Sequence, residues 1–134
     1  MTKFDDCPCS GGTLDKLLQP AILTALAQDD LHGYRIVRQV AALPIFKGRP
    51  PDVSGVYRSL RLMEARKLVA ASWNVSDRGP AKRLYALTPA GRQCLLRWLD
   101  TLSVYREAIG ELLIAAKRAS AIASPRPKKN RSRS

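Results

Sequence analysis

The chain has one histidine, two phenylalanines and two tryptophans in 134 residues, and only 11 acidic residues against 23 lysines and arginines. A lone histidine, His32, provides no partner imidazole for a metal set or for acid–base chemistry, and reads as a local hydrogen-bonding residue. The GGTLDK stretch (11–16) lacks the spacing of a phosphate-binding loop. No Ser/His/Asp or paired-carboxylate constellation is evident, so neither an enzyme nor a bound cofactor is expected. No apolar run approaches the ~20 residues that cross a bilayer. The N-terminus carries Asp5 and Asp6 where a signal peptide would be basic and then apolar. The expectation is a cytoplasmic protein with no membrane role. Thiols stay reduced there, so the three cysteines, Cys7, Cys9 and Cys94, are not a disulfide framework.

What the chain does have is enough apolar material for one core and a strong basic surplus. Hydrophobic residues make up 46% of it, and its length suits one domain rather than two. The formal net charge of +12 favours a polyanionic partner, because Lys and Arg release counterions condensed on phosphates. Much of that charge is local. Residues 117–134 hold seven bases and no acid, which leaves 16 bases against 11 acids elsewhere.

Patterning divides the chain into an N-terminal arm (1–12), a folded region (13–87), a long helix (88–118) and a basic tail (119–134) without periodicity. Thr13 can cap a helix over 14–28, with Pro20 either kinking it or marking a later start. Asp29-Asp30 offers a cap to a second helix over 31–43, whose Leu31, Ile36, Val40 and Leu43 share a face. PIFKGRPP (44–51) reads as loop. Asp52 then caps a third helix, 53–67, with Val53, Val56, Leu60 and Met63 inward and Ser54, Arg58 and Arg61 outward. Residues 68–75 and 82–87 read as two strands joined by the turn SDRGPA (76–81). Three helices followed by a hairpin give a mainly α fold with a small β-hairpin wing, the winged helix-turn-helix order. Thr88-Pro89 opens the last helix. There Leu95, Leu102, Ile109 and Ala116 occupy one heptad position and Trp98, Tyr105 and Leu112 another, with Leu99 and Leu113 widening the stripe. That much apolar surface calls for a second copy of the chain, a homodimer joined through Leu95, Trp98, Leu99, Leu102, Tyr105, Ile109 and Leu112.

An outer helix face of small and basic residues suits the major groove of double-stranded DNA. Arg58 and Arg61 are candidates for base edges or phosphates. Ser54 and Gly55 open the helix where free N–H groups can meet a phosphate. Tyr57 stands at the edge of the apolar arc, able to bond a phosphate or to pack. Tyr34 and Arg35 begin the second helix, which crosses the backbone in such modules. Arg78, Lys82 and Arg83 on the wing are phosphate candidates, with strand-edge charge as the plain alternative. Two competing readings stand beside sequence-specific binding. One is a general nucleic-acid-coating protein that relies on the basic tail. The other is a thiol or metal sensor using Cys7 and Cys9, a weak C-x-C signal with Cys94 as the available third ligand.

Four stretches resemble the PadR family of transcriptional regulators: GTLDKLLQPAILTAL (12–26), LHGYRI (31–36), SGVYRSLRLMEARKLV (54–69) and GPAKRLYALTPAGR (79–92). The last helix is similar to that of the compact subfamily with a single C-terminal helix. The resemblance implies a homodimeric repressor, with each recognition helix in a major groove, released by a small-molecule or stress signal. Some members hold flat hydrophobic molecules between tryptophans of paired last helices. Trp98 and Tyr105 are the effector-site candidates here, although Trp98 lies about one turn earlier than in those members. Asp52-Val53-Ser54-Gly55 stands where the family commonly has Ser-Pro-Gly-Thr, so operator sequence does not carry over.

Overall fold

A computed structural model describes residues 16–74 and 82–123. Helix α1 (Leu18–Gln28) is followed by strand β1 (Leu31–His32), helix α2 (Gly33–Ala41) and a 3₁₀ turn (Pro44–Phe46). Helix α3 (Val53–Ala65), strands β2 (Val69–Asn74) and β3 (Lys82–Leu87) and helix α4 (Pro89–Ala123) complete the chain. The strands form one antiparallel sheet in the order β1-β3-β2, with Leu31 opposite Tyr85 and Val69 opposite Leu87. The arm with Thr13, Cys7 and Cys9, the wing turn with Arg78, and the end of the basic tail lie outside the described residues.

Helix α1 is buried almost all round, through Leu18, Pro20, Ala21, Ile22, Leu23, Ala25 and Leu26. It starts at Leu18, so Pro20 falls in the first turn, where its missing N–H leaves no bond unmade. The Thr24 hydroxyl donates to the Pro20 carbonyl at 2.8 Å. Helix α2 closes the core with Ile36 and Val40 and turns Tyr34, Arg35 and Arg38 outward. The segment expected to be plain loop contains the turn Pro44–Phe46, and Phe46 is 1% exposed. Proline pre-sets the backbone of that turn, and burial of a phenyl ring favours it over free loop by roughly 2 kcal/mol.

Helix α3 buries Val56, Leu60 and Met63, whereas Val53, expected on the same arc, is 53% exposed in the first turn. Two expected caps are absent. Asp52 occupies the N-cap position of α3, but its carboxylate accepts no capping bond. The acidic pair at 29–30 cannot cap α2, because β1 intervenes and His32 holds the N-cap position.

The exit from α3 is well defined. Leu68 N–H donates to the Met63 carbonyl at 2.9 Å and Lys67 N–H to the Glu64 carbonyl at 3.0 Å, the paired bonds of a Schellman cap. The left-handed position of that cap usually holds glycine and here holds Lys67, with φ 63°. Helix α4 starts on this turn. The Thr88 hydroxyl accepts from Gly91 N–H at 2.9 Å, as an N-cap should, and lies 2.7 and 2.9 Å from the Lys67 and Leu68 carbonyls, to which it can donate. A Cβ on Gly91 would fall 2.1 Å from the Leu68 carbonyl oxygen, so only glycine lets α4 approach this closely.

Helix α4 runs to Ala123, five residues beyond the expected end. The chain divides into two compact units, Met1–Leu96 and Arg97–Ser134. In the second, Leu99, Tyr105, Ile109, Leu112 and Leu113 are exposed, while Trp98 and Leu102 are half-buried. No helix among the described residues is long and apolar enough to cross a membrane.

Candidate nucleic-acid interface

The exposed face of α3 carries Ser54, Arg58 and Arg61, as its 3.6-residue period requires once Val56, Leu60 and Met63 turn inward. The Arg58 guanidinium folds back over the start of the helix, where a Cβ on Gly55 would meet it at 3.6 Å. It lines a cavity of about 510 Å³ with Gly55, Ser59, Leu62, Asp52 and Pro51, closed by Leu18 of α1. On α2, Tyr34, Arg35, Arg38 and Gln39 line an open polar hollow of similar size.

The wing meets α3 through charge and rings. Arg83 of β3 donates to the Glu64 carboxylate of α3 at 2.7 Å. The strand register places Arg83 opposite Trp73, and the guanidinium lies 5.7 Å from the Trp73 ring and 5.6 Å from the Tyr85 ring. With both partners about one-third exposed, this pair contributes on the order of 1 kcal/mol, plus the stacking. Its larger consequence is geometric, since it fixes the wing strand against the end of α3. The Arg83 Nε is shut off from solvent with no acceptor among the described residues.

Between α2, α3 and β3 lies a crevice of about 450 Å³. Its ring side chains are His32, Tyr34, Tyr57 and Tyr85. Its cations are Arg61, Lys82 and Arg83. His32 and Tyr34 are nearly parallel, 11° apart in plane with centroids at 6.1 Å, and Lys82 Nζ lies 5.3 Å from the Tyr34 ring centre. Tyr57 packs on the backbone at the start of α2, where a Cβ on Gly33 would come within 2.6 Å of its ring. Burial raises the Tyr85 phenol above its ordinary pKa of 10.0; Arg83 and Arg61 pull it down, while Glu64 and Tyr57 add to the rise. Tyr85 is therefore a neutral hydroxyl at physiological pH.

Of the residues expected to contact DNA, Tyr34, Arg35, Ser54, Arg58, Arg61 and Lys82 are exposed on this side of the molecule. Gly55, Tyr57 and Arg83 are half-buried, and Arg83 is committed to Glu64. Glu64, Trp73 and Tyr85 were not singled out by sequence reasoning. Alternation in KRLYAL puts Arg83 and Tyr85 on one strand face, but their pairing with Glu64 and Trp73 needs the strands in place. Among the described residues no group of three or more His, Cys, Asp or Glu could hold a metal ion. Cys94 sits beside Gln19, its Sγ 3.9 Å from Oε1.

Residues 22–97 match the model of the transcriptional regulator PadR-like family. The chain is 32% identical over 98 residues to a Mycobacterium tuberculosis protein described as a probable transcriptional regulator. The match takes in 72% of this chain and 51% of that protein, so the chain spans about half the length of this curated relative. Its fold is similar to that of the TA0346 protein of Thermoplasma acidophilum (TM-score 0.66, 26% identity, covering 75% of this chain and 94% of the other). It is also similar to Bacillus subtilis PadR, solved in complex with operator DNA (TM-score 0.55, 25% identity, 62% of this chain and 46% of the other). With a family model matched over more than half its length, the chain belongs to the PadR-like family of transcriptional regulators.

Proposed function

We propose that this regulator is a homodimer that binds operator DNA and represses transcription until a small-molecule or stress signal releases it. Helix α3 enters the major groove with Ser54, Arg58 and Arg61, while Tyr34, Arg35 and Lys82 meet phosphates on either side. Gly55 admits the backbone closely. Tyr57 and Arg83 hold the recognition helix against α2 and the wing more than they contact DNA. The observation that carries this reading is the unneutralised cationic face. Arg35, Arg58, Arg61 and Lys82 are all exposed, and none of the four has a carboxylate partner among the described residues. The operator complex of Bacillus subtilis PadR supports it. The exposed apolar residues of α4 beyond Leu96 support dimerisation, with Leu99, Tyr105, Ile109 and Leu112 meeting their counterparts, and Trp98 and Tyr105 remain the effector candidates on that seam.

The test is binding of the full chain to its own promoter region and to a scrambled duplex at two salt concentrations, with mass measured by sedimentation. Preference for the promoter by a two-chain species is expected. Losing one phosphate contact, as in Lys82→Gln, should flatten the salt slope by about 0.9. Equal, steeply salt-dependent binding to both duplexes would instead make this a coating protein. Loss of preference on thiol oxidation would implicate Cys7 and Cys9.

A further inference from the structure

The crevice between α2, α3 and β3 has more ring surface than duplex DNA can use. A duplex shows its partner phosphates, sugars and base edges, while base faces stay stacked inside. Cations answer the phosphates, but ring faces answer an unstacked base. Two of the four rings have structural work: Tyr85 is 4% exposed, and Tyr57 packs on Gly33. Tyr34 does not. It stands 46% exposed on the first turn of α2, near-parallel to His32, with Lys82 held beside it by a cation–π contact that a phosphate can outcompete. Across the crevice Arg61 is exposed, with no carboxylate partner among the described residues. The volume, about 450 Å³, is in the range of small-molecule sites.

We propose that this crevice binds a free nucleoside monophosphate, its phosphate on Arg61 and Lys82 and its base on Tyr34, and that occupancy competes directly with operator DNA. The competition rests on the DNA-binding reading above, because it needs Arg61 and Lys82 to serve both ligands; the binding itself does not. Such a regulator would release its operator as nucleotide concentration rises, without any change along α4.

The experiment is calorimetric titration of the full chain with AMP, with adenosine, inorganic phosphate and a twelve-residue oligo-dT strand as separate arms. Saturation by AMP at one per chain is expected, with adenosine and phosphate each at least about tenfold weaker. Tyr34→Leu, a change at an exposed position, should weaken AMP at least about fivefold. Arg61→Gln should abolish the advantage of AMP over adenosine. Saturation-transfer NMR from tyrosine ring protons to the AMP base tests the contact in the unaltered chain. Finally, AMP should raise the apparent operator Kd in proportion to its occupancy. Absence of saturable AMP binding would overturn the proposal, as would equal affinity in Tyr34→Leu, no transfer to the base, or complete displacement of AMP by oligo-dT at far lower nucleotide concentration. Operator binding without AMP and AMP binding without DNA are measured independently, so failure of one reading is distinguishable from failure of the other.

Discussion

Replacing Gly91 by alanine should damage the joint between α3 and α4 out of proportion to the single methyl added. The new Cβ would lie 2.1 Å from the Leu68 carbonyl oxygen and 2.6 Å from Leu87 Cδ1. The leucine methyl can rotate away; the carbonyl cannot do so freely. It accepts the Thr88 N–H at 3.2 Å and has the Thr88 hydroxyl at 2.9 Å. Restoring ordinary contact means moving α4 by roughly 1 Å, which strains or breaks those bonds. Overpacking costs about 1–3 kcal/mol, and loss of one or two hydrogen bonds about 1 kcal/mol each. Alanine returns up to about 1 kcal/mol of helix propensity. The net loss is about 2–4 kcal/mol, or a fall in Tm of roughly 10 °C for a chain of this size. The assay is urea unfolding followed by far-UV circular dichroism, with Gly48→Ala as a comparison, since nothing lies within 4 Å of a Cβ there. A Gly91→Ala protein as stable as the parent would show that α4 does not sit on this turn, and would remove the reasoning about the joint altogether.

Lys67→Gly should stabilise the fold by about 0.5–1 kcal/mol, because glycine occupies φ 63° without the Cβ penalty, partly offset by a freer unfolded chain; the urea midpoint reads it. Glu64→Gln should cost about 1 kcal/mol or less in stability, yet release the wing from α3 and weaken operator binding severalfold, as measured by fluorescence anisotropy. Because the folded-state pKa of Tyr85 is raised, its contribution is present below pH 10.0 and is lost as pH climbs above it. Tyr85→Phe should therefore flatten stability against pH in that window, checked by thermal unfolding from pH 8 to 11.

Much of the architecture can be read directly from the chain, because local patterns carry it. The two strands were expected at 68–75 and 82–87 and occur at 69–74 and 82–87. The cap and proline that open the last helix, Thr88 and Pro89, act as their chemistry dictates. The outward Arg58 and Arg61 follow from helical period alone. The misses have a common physical origin. Strand β1 is two residues long and exists because β3 offers it an edge; nothing in Leu31-His32 alone predicts it. Asp52 has the right chemistry for a cap and the right backbone, but no capping bond forms. The 3₁₀ turn at 44–46 depends on a core ready to take Phe46.

The sequence by itself determined the main helices, the two wing strands and the basic outer face of α3, because periodicity, turn residues and charge are local properties of a chain, and four of its stretches carried the family resemblance. Tertiary structure alone decided what joins the parts. It pairs Arg83 with Glu64 across 19 residues, sets Gly91 on the Leu68 carbonyl, and gathers His32, Tyr34, Tyr57 and Tyr85 into one crevice. Each of those contacts unites residues from different elements, and such distances are fixed only when the core has closed between them.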